Sequence, residues 1–200
     1  MSWLRGTPLD EARWVVVDCE TSGLDVARDR LLSVGAITVQ AGRVQLAESF
    51  AALVEQAAPS SPDNILIHGI GGDAQRGGQP LQSVLSNLQE FMGDGMPVAF
   101  HAAFDAGILK RHGLKVGRAW LDLAVLLPAL FPDAGSKESP LDHWLEVFAI
   151  AAHARHDALG DAFATAQLLL VALAEAKRQR VTTVQALFRA EGASRWLARR

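Results

Sequence analysis

The chain has 200 residues, half of them apolar, with 20% charged side chains and a net charge of −3. This length and apolar content suit one globular unit with a substantial core, and exclude a disordered chain or a strongly basic nucleic-acid coat protein. A single cysteine, Cys19, excludes an intrachain disulfide and a cysteine-rich zinc site. No stretch reaches the roughly 18 unbroken apolar residues of a membrane helix, so a cytoplasmic protein with no membrane partner is expected.

The stretch "WVVVDCETSGLD", residues 14–25, reads as a first strand. Side chains alternate along a strand, so Val15, Val17 and Cys19 share one face while Val16, Asp18 and Glu20 share the other. Two carboxylates on one side of a buried strand repel each other and lose hydration, so a cation is expected beside them. Cys19, on the opposite face, is expected to pack rather than react.

"LLSVGAITVQAGRVQLAESFAALV" predicts two strands that turn near Ala41-Gly42, forming an antiparallel hairpin after the first strand. "APSSPDNILIHGI" carries Ser and Pro ahead of an apolar turn, the start of a short helix, and "GGDAQRGGQP" is expected to be a flexible loop. "LQSVLSNLQEFM" has helical spacing and stops at Gly93. "PVAF" predicts a short buried strand, "FDAGILKRHG" a helix, and "RAWLDLAVLLPALF" a strand passing into a helix. "PLDHWLEVFAI", "DALGDAFATAQLLLVALAEAKRQR" and a segment after Val181 complete the helices. Three strands followed by alternating helices and strands imply an α/β architecture with a mixed sheet, open at the carboxyl end of the first strand.

Two further acids stand in apolar surroundings. Asp105, in "AFHAAFDAGIL", follows a buried strand, and Asp161 lies in the most apolar helix of the chain. On one continuous helix, His156 would lie about 140° around from Asp161. If Asp157 caps that helix, Asp161 lies one turn in and His156 sits on the preceding loop, free to swing over the acids. Trp120 and Asp122 are read as structural.

"DCETSGLD", "FHAAFDAGIL" and "HDALGDAFATAQLL", in that order, resemble the three motifs of the DEDDh, or DnaQ-like, family of 3′-5′ exonucleases, over about residues 12–175. That family includes the proofreading epsilon subunit of bacterial DNA polymerase III and ribonuclease T. The resemblance implies a ribonuclease-H-like fold with a five-stranded mixed sheet, its first three strands antiparallel. It implies two divalent cations, Mg²⁺ or Mn²⁺: Asp18 bridging both, Glu20 and Asp161 on the first, and Asp105 assisting the second. His156 would be the general base, since imidazoles titrate near about 6.5. Thr21, Leu24, His68 and Phe104 would border the terminal nucleotide. One departure is visible: many relatives have His-Asn where this chain has His101-Ala102.

The resemblance thus implies hydrolysis of single-stranded or frayed 3′ ends, of DNA in proofreading or repair or of RNA in end trimming. A module that docks a polymerase or holds ends without cutting, and a phosphatase on the same carboxylates, are the alternatives. The exonuclease unit is expected over residues 1–180, with a basic helical extension at 181–200. Residues 176–200 carry seven Lys or Arg against Glu191 alone, leaving −9 on the rest of the chain. The extension is either a helix with a solvated polar face or a surface for a phosphate backbone, a polymerase or a second copy, with Phe188 and Trp196 available for docking.

Overall fold

The computed structural model describes residues 6–115, 117–152 and 155–197, the last four as backbone only. Five strands, β1 (Trp14–Thr21), β2 (Leu31–Gln40), β3 (Arg43–Leu53), β4 (Met96–Ala99) and β5 (Leu121–Asp122), form one sheet in the order β3-β2-β1-β4-β5. β1, β2 and β3 are antiparallel neighbours, and β4 and β5 join parallel to β1. The β2–β3 connection is the two-residue turn at Ala41-Gly42, both with positive φ (50° and 70°), the backbone that a tight hairpin needs.

Eight helices are found among the described residues: α1 (Pro62–His68), α2 (Gly72–Arg76), α3 (Leu81–Met92), α4 (Ala102–Arg111), α5 (Leu123–Leu130), α6 (Leu141–Val147), α7 (Ala158–Arg178) and α8 (Val184–Leu197). α1 begins as expected, with the Ser61 hydroxyl accepting from Asn64 N–H and Pro62 in the first turn. The expected flexible loop at residues 71–80 instead contains α2. Buried Gln75 orders it, accepting from Ser60 N–H and donating to Ser60 Oγ and Ile70 O.

The alternation of β1 builds a core on each face of the sheet. Trp14 and Val16 join Ile37 and the apolar sides of α5 and α7, whereas Val15, Val17 and Cys19 join Val34 and the apolar sides of α3 and α4. α7 is long and apolar enough to cross a membrane by length and composition. Here Ala162, Leu168, Leu169 and Ala172 are buried against the sheet, which makes it the core helix. In α8, Val184 and Leu187 are buried in the same core and Phe188 packs against it. Lys177 pairs with Asp10 and Arg178 with Glu175, while Arg189 is exposed. Arg199 and Arg200, with the side chains of Arg195 and Trp196, lie outside the described residues.

Two features of the sheet open a site. Of β1, only Trp14, Val15 and Val16 pair with β4, so β1 runs on past it and leaves unpaired on that side the stretch carrying Asp18 and Glu20. β2 stays paired along the other side of β1, with Gly35 opposite Asp18. This is the carboxyl end of β1, and ligand crevices of open α/β sheets lie outside the carboxyl ends of the strands.

Candidate active site

Gly35 brings the third acid in. A Cβ at this position would lie 2.3 Å from Ala158 C and Leu159 N, so only glycine lets the first turn of α7 rest on the sheet beside Asp18. Asp157 caps that turn, its carboxylate accepting from Gly160 N–H at 2.8 Å. Asp161 then follows one turn into α7, where the helix N-terminus favours a negative charge. Asp18, Glu20 and Asp161 each offer a carboxylate oxygen, and the three oxygens lie within 4.8 Å of one another. Replacing Gly35 by Ala should push α7 off the sheet, costing about 3 kcal/mol as overpacking does. A thermal melt should read this as a fall of roughly 6–10 °C. Titration with Mn²⁺ should show a matching loss of affinity, because Asp161 moves with the helix.

Asp105 approaches from the other side of the sheet, on the first turn of α4. It is 3% exposed, within hydrogen-bonding reach of the Cys19 thiol and main chain, and close enough to Asp18 for their charges to interact. Cys19 does lie opposite Asp18 and Glu20 and is buried as expected, but it is not remote from all the acids. Burial first, and then the charges of Asp105 and Asp18, raise its thiol pKa well above the usual range, so it stays protonated.

The acids are crowded and poorly hydrated. Burial, followed by the charges of Asp105, Asp161 and Glu20, holds Asp18 well above the ordinary carboxylate range. Burial and Asp161 push Glu20 up to about 7, and burial pushes Asp105 up to about 8. The cation expected beside them is Arg155, which pairs with Asp161 through Nη1 and with Asp142, at 2.5 Å, through Nε. One guanidinium does not offset four acids. Closely spaced hard oxygen donors with surplus negative charge suit a divalent cation such as Mg²⁺ or Mn²⁺.

These shifts set a pH dependence. Unfolded carboxyls release their protons near pH 4, whereas the folded chain keeps those on Glu20 and Asp105 to about 7 and 8. The native state therefore binds more protons in that window, and cation-free stability must fall as pH rises through it. Chelator-treated protein is expected to melt about 5 °C or more higher at pH 6 than at pH 8.5. Added Mn²⁺ should raise the melting temperature more at pH 8.5. Equal melting temperatures at both pH values in chelator would contradict this electrostatic account.

His156 lies on the loop before α7, as expected, with a left-handed backbone (φ 61°) and an exposed side chain. Its main-chain N–H donates to Asp161 Oδ2 at 3.0 Å, anchoring the residue at the acids' edge while its ring faces solvent.

The four remaining candidates are Thr21, Leu24, Phe104 and His68. Thr21 is buried, its hydroxyl donating to Gly23 O at 2.6 Å. Leu24 is 86% exposed, an apolar side chain standing in water. Phe104 is half-buried on α4. His68 is buried in a relay. Ile70 N–H donates to its Nδ1 at 2.9 Å, so Nε2 carries the proton and donates to Asn64 Oδ1 at 2.7 Å; Asn64 Nδ2 in turn donates to Thr21 O at 3.0 Å. The relay ties α1 to the end of β1, and burial lowers the His68 pKa, favouring this neutral form. Asp122 Oδ1 accepts from His101 N–H and Ala124 N–H, bracing the turn in which Ala102 replaces the usual Asn. Sequence reading missed Arg155, Asp142 and Asn64. Only the expectation of some cation beside Asp18 pointed toward the first.

Residues 15–169 match the Exonuclease family RNase_T. A DNA polymerase III subunit epsilon-like protein of Rhodobacter capsulatus is 32% identical over 192 residues, 93% of this chain and 27% of that protein. A DNA polymerase III PolC-type protein of Listeria monocytogenes is 30% identical over 174 residues, 84% of this chain and 12% of that protein. The chain thus spans about a quarter or less of the length of these relatives. Among solved structures, Escherichia coli Exonuclease I in complex with a dT13 oligonucleotide superposes with a TM-score of 0.70 at 18% identity, covering 84% of this chain and 42% of that one. Exonuclease X in complex with 5′ overhanging duplex DNA superposes with a TM-score of 0.67 at 21% identity, covering 80% and 91%. The fold is the ribonuclease-H-like fold of these exonucleases, with three antiparallel strands followed by two parallel ones.

Proposed function

The chain belongs to the Exonuclease family whose profile it matches over residues 15–169, and from that premise we propose that it is a cytoplasmic 3′-5′ exonuclease acting on single-stranded or frayed DNA ends. The observation that carries this reading is the set of three carboxylate oxygens, from Asp18, Glu20 and Asp161, within 4.8 Å of one another at the open end of β1. Asp18, Glu20 and Asp161 would hold one divalent cation, and Asp18 with Asp105 a second. When bound, Mg²⁺ or Mn²⁺ supplies charge neutralisation at the phosphodiester and makes water a competent nucleophile near neutral pH.

The chain's own groups supply the rest. His156 accepts the proton of the attacking water at a ring nitrogen, its position fixed by the main-chain bond to Asp161 Oδ2. Water adds to phosphorus and the bond to the 3′ oxygen of the preceding nucleotide breaks, that oxygen taking a proton from solvent water. A nucleoside 5′-monophosphate leaves, and the shortened strand keeps a 3′ hydroxyl. Thr21 seats the terminal nucleotide, with Leu24 and Phe104 offering apolar surface to its base and His68 holding α1 against the end of β1. The chain's negative charge suits a short grip on a strand end better than a long duplex footprint. Relatives bearing DNA polymerase III names support DNA as the substrate and a polymerase, or a second copy, as a partner.

The test is degradation of 5′-labelled single-stranded DNA and RNA of equal sequence with Mg²⁺, Mn²⁺ or chelator. Cation-dependent shortening that favours the DNA strand is expected. Preference for RNA would move the assignment to RNA end trimming, and binding without cleavage would move it to a docking module.

A further inference from the structure

Both oxygens of Asp161 already hold a donor. Oδ2 takes His156 N–H, and Oδ1 takes the Arg155 guanidinium. The main-chain donor leaves Oδ2 a second lone pair and carries no net charge, so it is compatible with a cation at the cluster. The guanidinium is not compatible, because it puts a full positive charge on the carboxylate that a divalent cation would share with Asp18 and Glu20. We infer that Arg155 is the site's own counter-ion, standing on Asp161 when no divalent cation is bound and withdrawing toward Asp142 when one binds. This rests on the reading of Asp161 as a cation ligand.

The geometry supplies both ends of that exchange. The guanidinium is forked, with Nη1 directed inward to Asp161, whose side chain is 8% exposed, and Nε outward to Asp142, whose side chain is 66% exposed. Asp142 belongs to the first turn of α6, so the outer anchor does not move with α7. Withdrawal breaks the inner contact and keeps the outer one, and the charge never has to cross solvent unpaired. Arg155 also favours the ionised forms of Asp18 and Glu20, so its field covers all three acids. In the cation-free chain it therefore limits their mutual repulsion, at the expense of competing with whatever cation they bind. Arg155 is a positioning residue, acting on the acids through its ion pair with Asp161.

The measurement is calorimetric titration of the full chain with Mn²⁺ after chelator treatment, for the unmodified protein, Arg155→Gln and Asp18→Asn, with circular dichroism to establish folding. Arg155→Gln is expected to bind Mn²⁺ on the order of tenfold more tightly, as removal of a competing, partly buried ion pair would allow. In chelator it is expected to melt below the unmodified protein. Should it not fold, Arg155→Lys, which cannot span both acids, is expected to bind about threefold more tightly. Equal or weaker binding by a folded Arg155 variant overturns the inference while leaving the acid cluster intact. Absence of Mn²⁺ binding to the unmodified protein, or binding that survives Asp18→Asn, overturns the cation site itself.

Discussion

Asp18→Asn is expected to lower strand shortening by about 10³-fold or more and, in chelator at pH 8.5, to raise the melting temperature by roughly 3 °C. Both signs follow from the same surroundings. The ionised carboxyl is opposed by burial and by Asp105, Asp161 and Glu20, so a neutral amide of the same shape relieves repulsion in the cation-free chain. The amide also cannot supply the charge that a hard divalent cation requires of a bridging ligand. A residue kept only for folding would not lose activity and gain stability together. Steady-state kinetics and paired thermal melts measure the two effects. Substantial residual activity, or a fall in melting temperature, would remove Asp18 from the centre of the site.

For His156→Asn the expected result differs in kind: a fall in kcat of about 10²- to 10⁴-fold, with Mn²⁺ affinity within about threefold of the unmodified protein. Asparagine is the informative substitution because it tolerates the left-handed backbone at this position better than most residues. The main-chain N–H that reaches Asp161 is retained, and the exposed ring is all that is removed. Partial recovery of the rate on adding imidazole to the buffer would mark a lost proton acceptor. A parallel loss of cation affinity would instead show that the residue acts by shaping the loop.

Much of this arrangement is legible in the sequence because it depends on local periodicity. The two-residue alternation of "WVVVDCET" places Asp18 and Glu20 on one face, and the capping aspartate at 157 places Asp161 one turn into α7 with His156 on the loop before it. The resemblance to the DEDDh motifs adds Asp105, which no local period connects to the others. The parts that escape reading are tertiary. Alternation assigns Cys19 to the far face but does not say that the first turn of α4 comes round the short end of β4 to meet it. Nor does it say that Arg155 bridges α6 and α7, or that Asn64 and His68 tie α1 to Thr21. The helix in the glycine-rich segment 71–80 depends on Gln75 finding Ser60 and Ile70 across a turn, a contact that local composition does not reveal.

If the cluster of acids at the end of β1 serves cation-dependent removal of nucleotides from a 3′ end, a single-stranded DNA whose only label lies in its 3′-terminal nucleotide will reveal it. With Mg²⁺, the label should be released as nucleoside 5′-monophosphate from the start of the reaction, and neither chelator-treated protein nor Asp18→Asn should release it. Label first appearing in short oligonucleotides, as inorganic phosphate, or in equal amounts without a divalent cation would contradict the account.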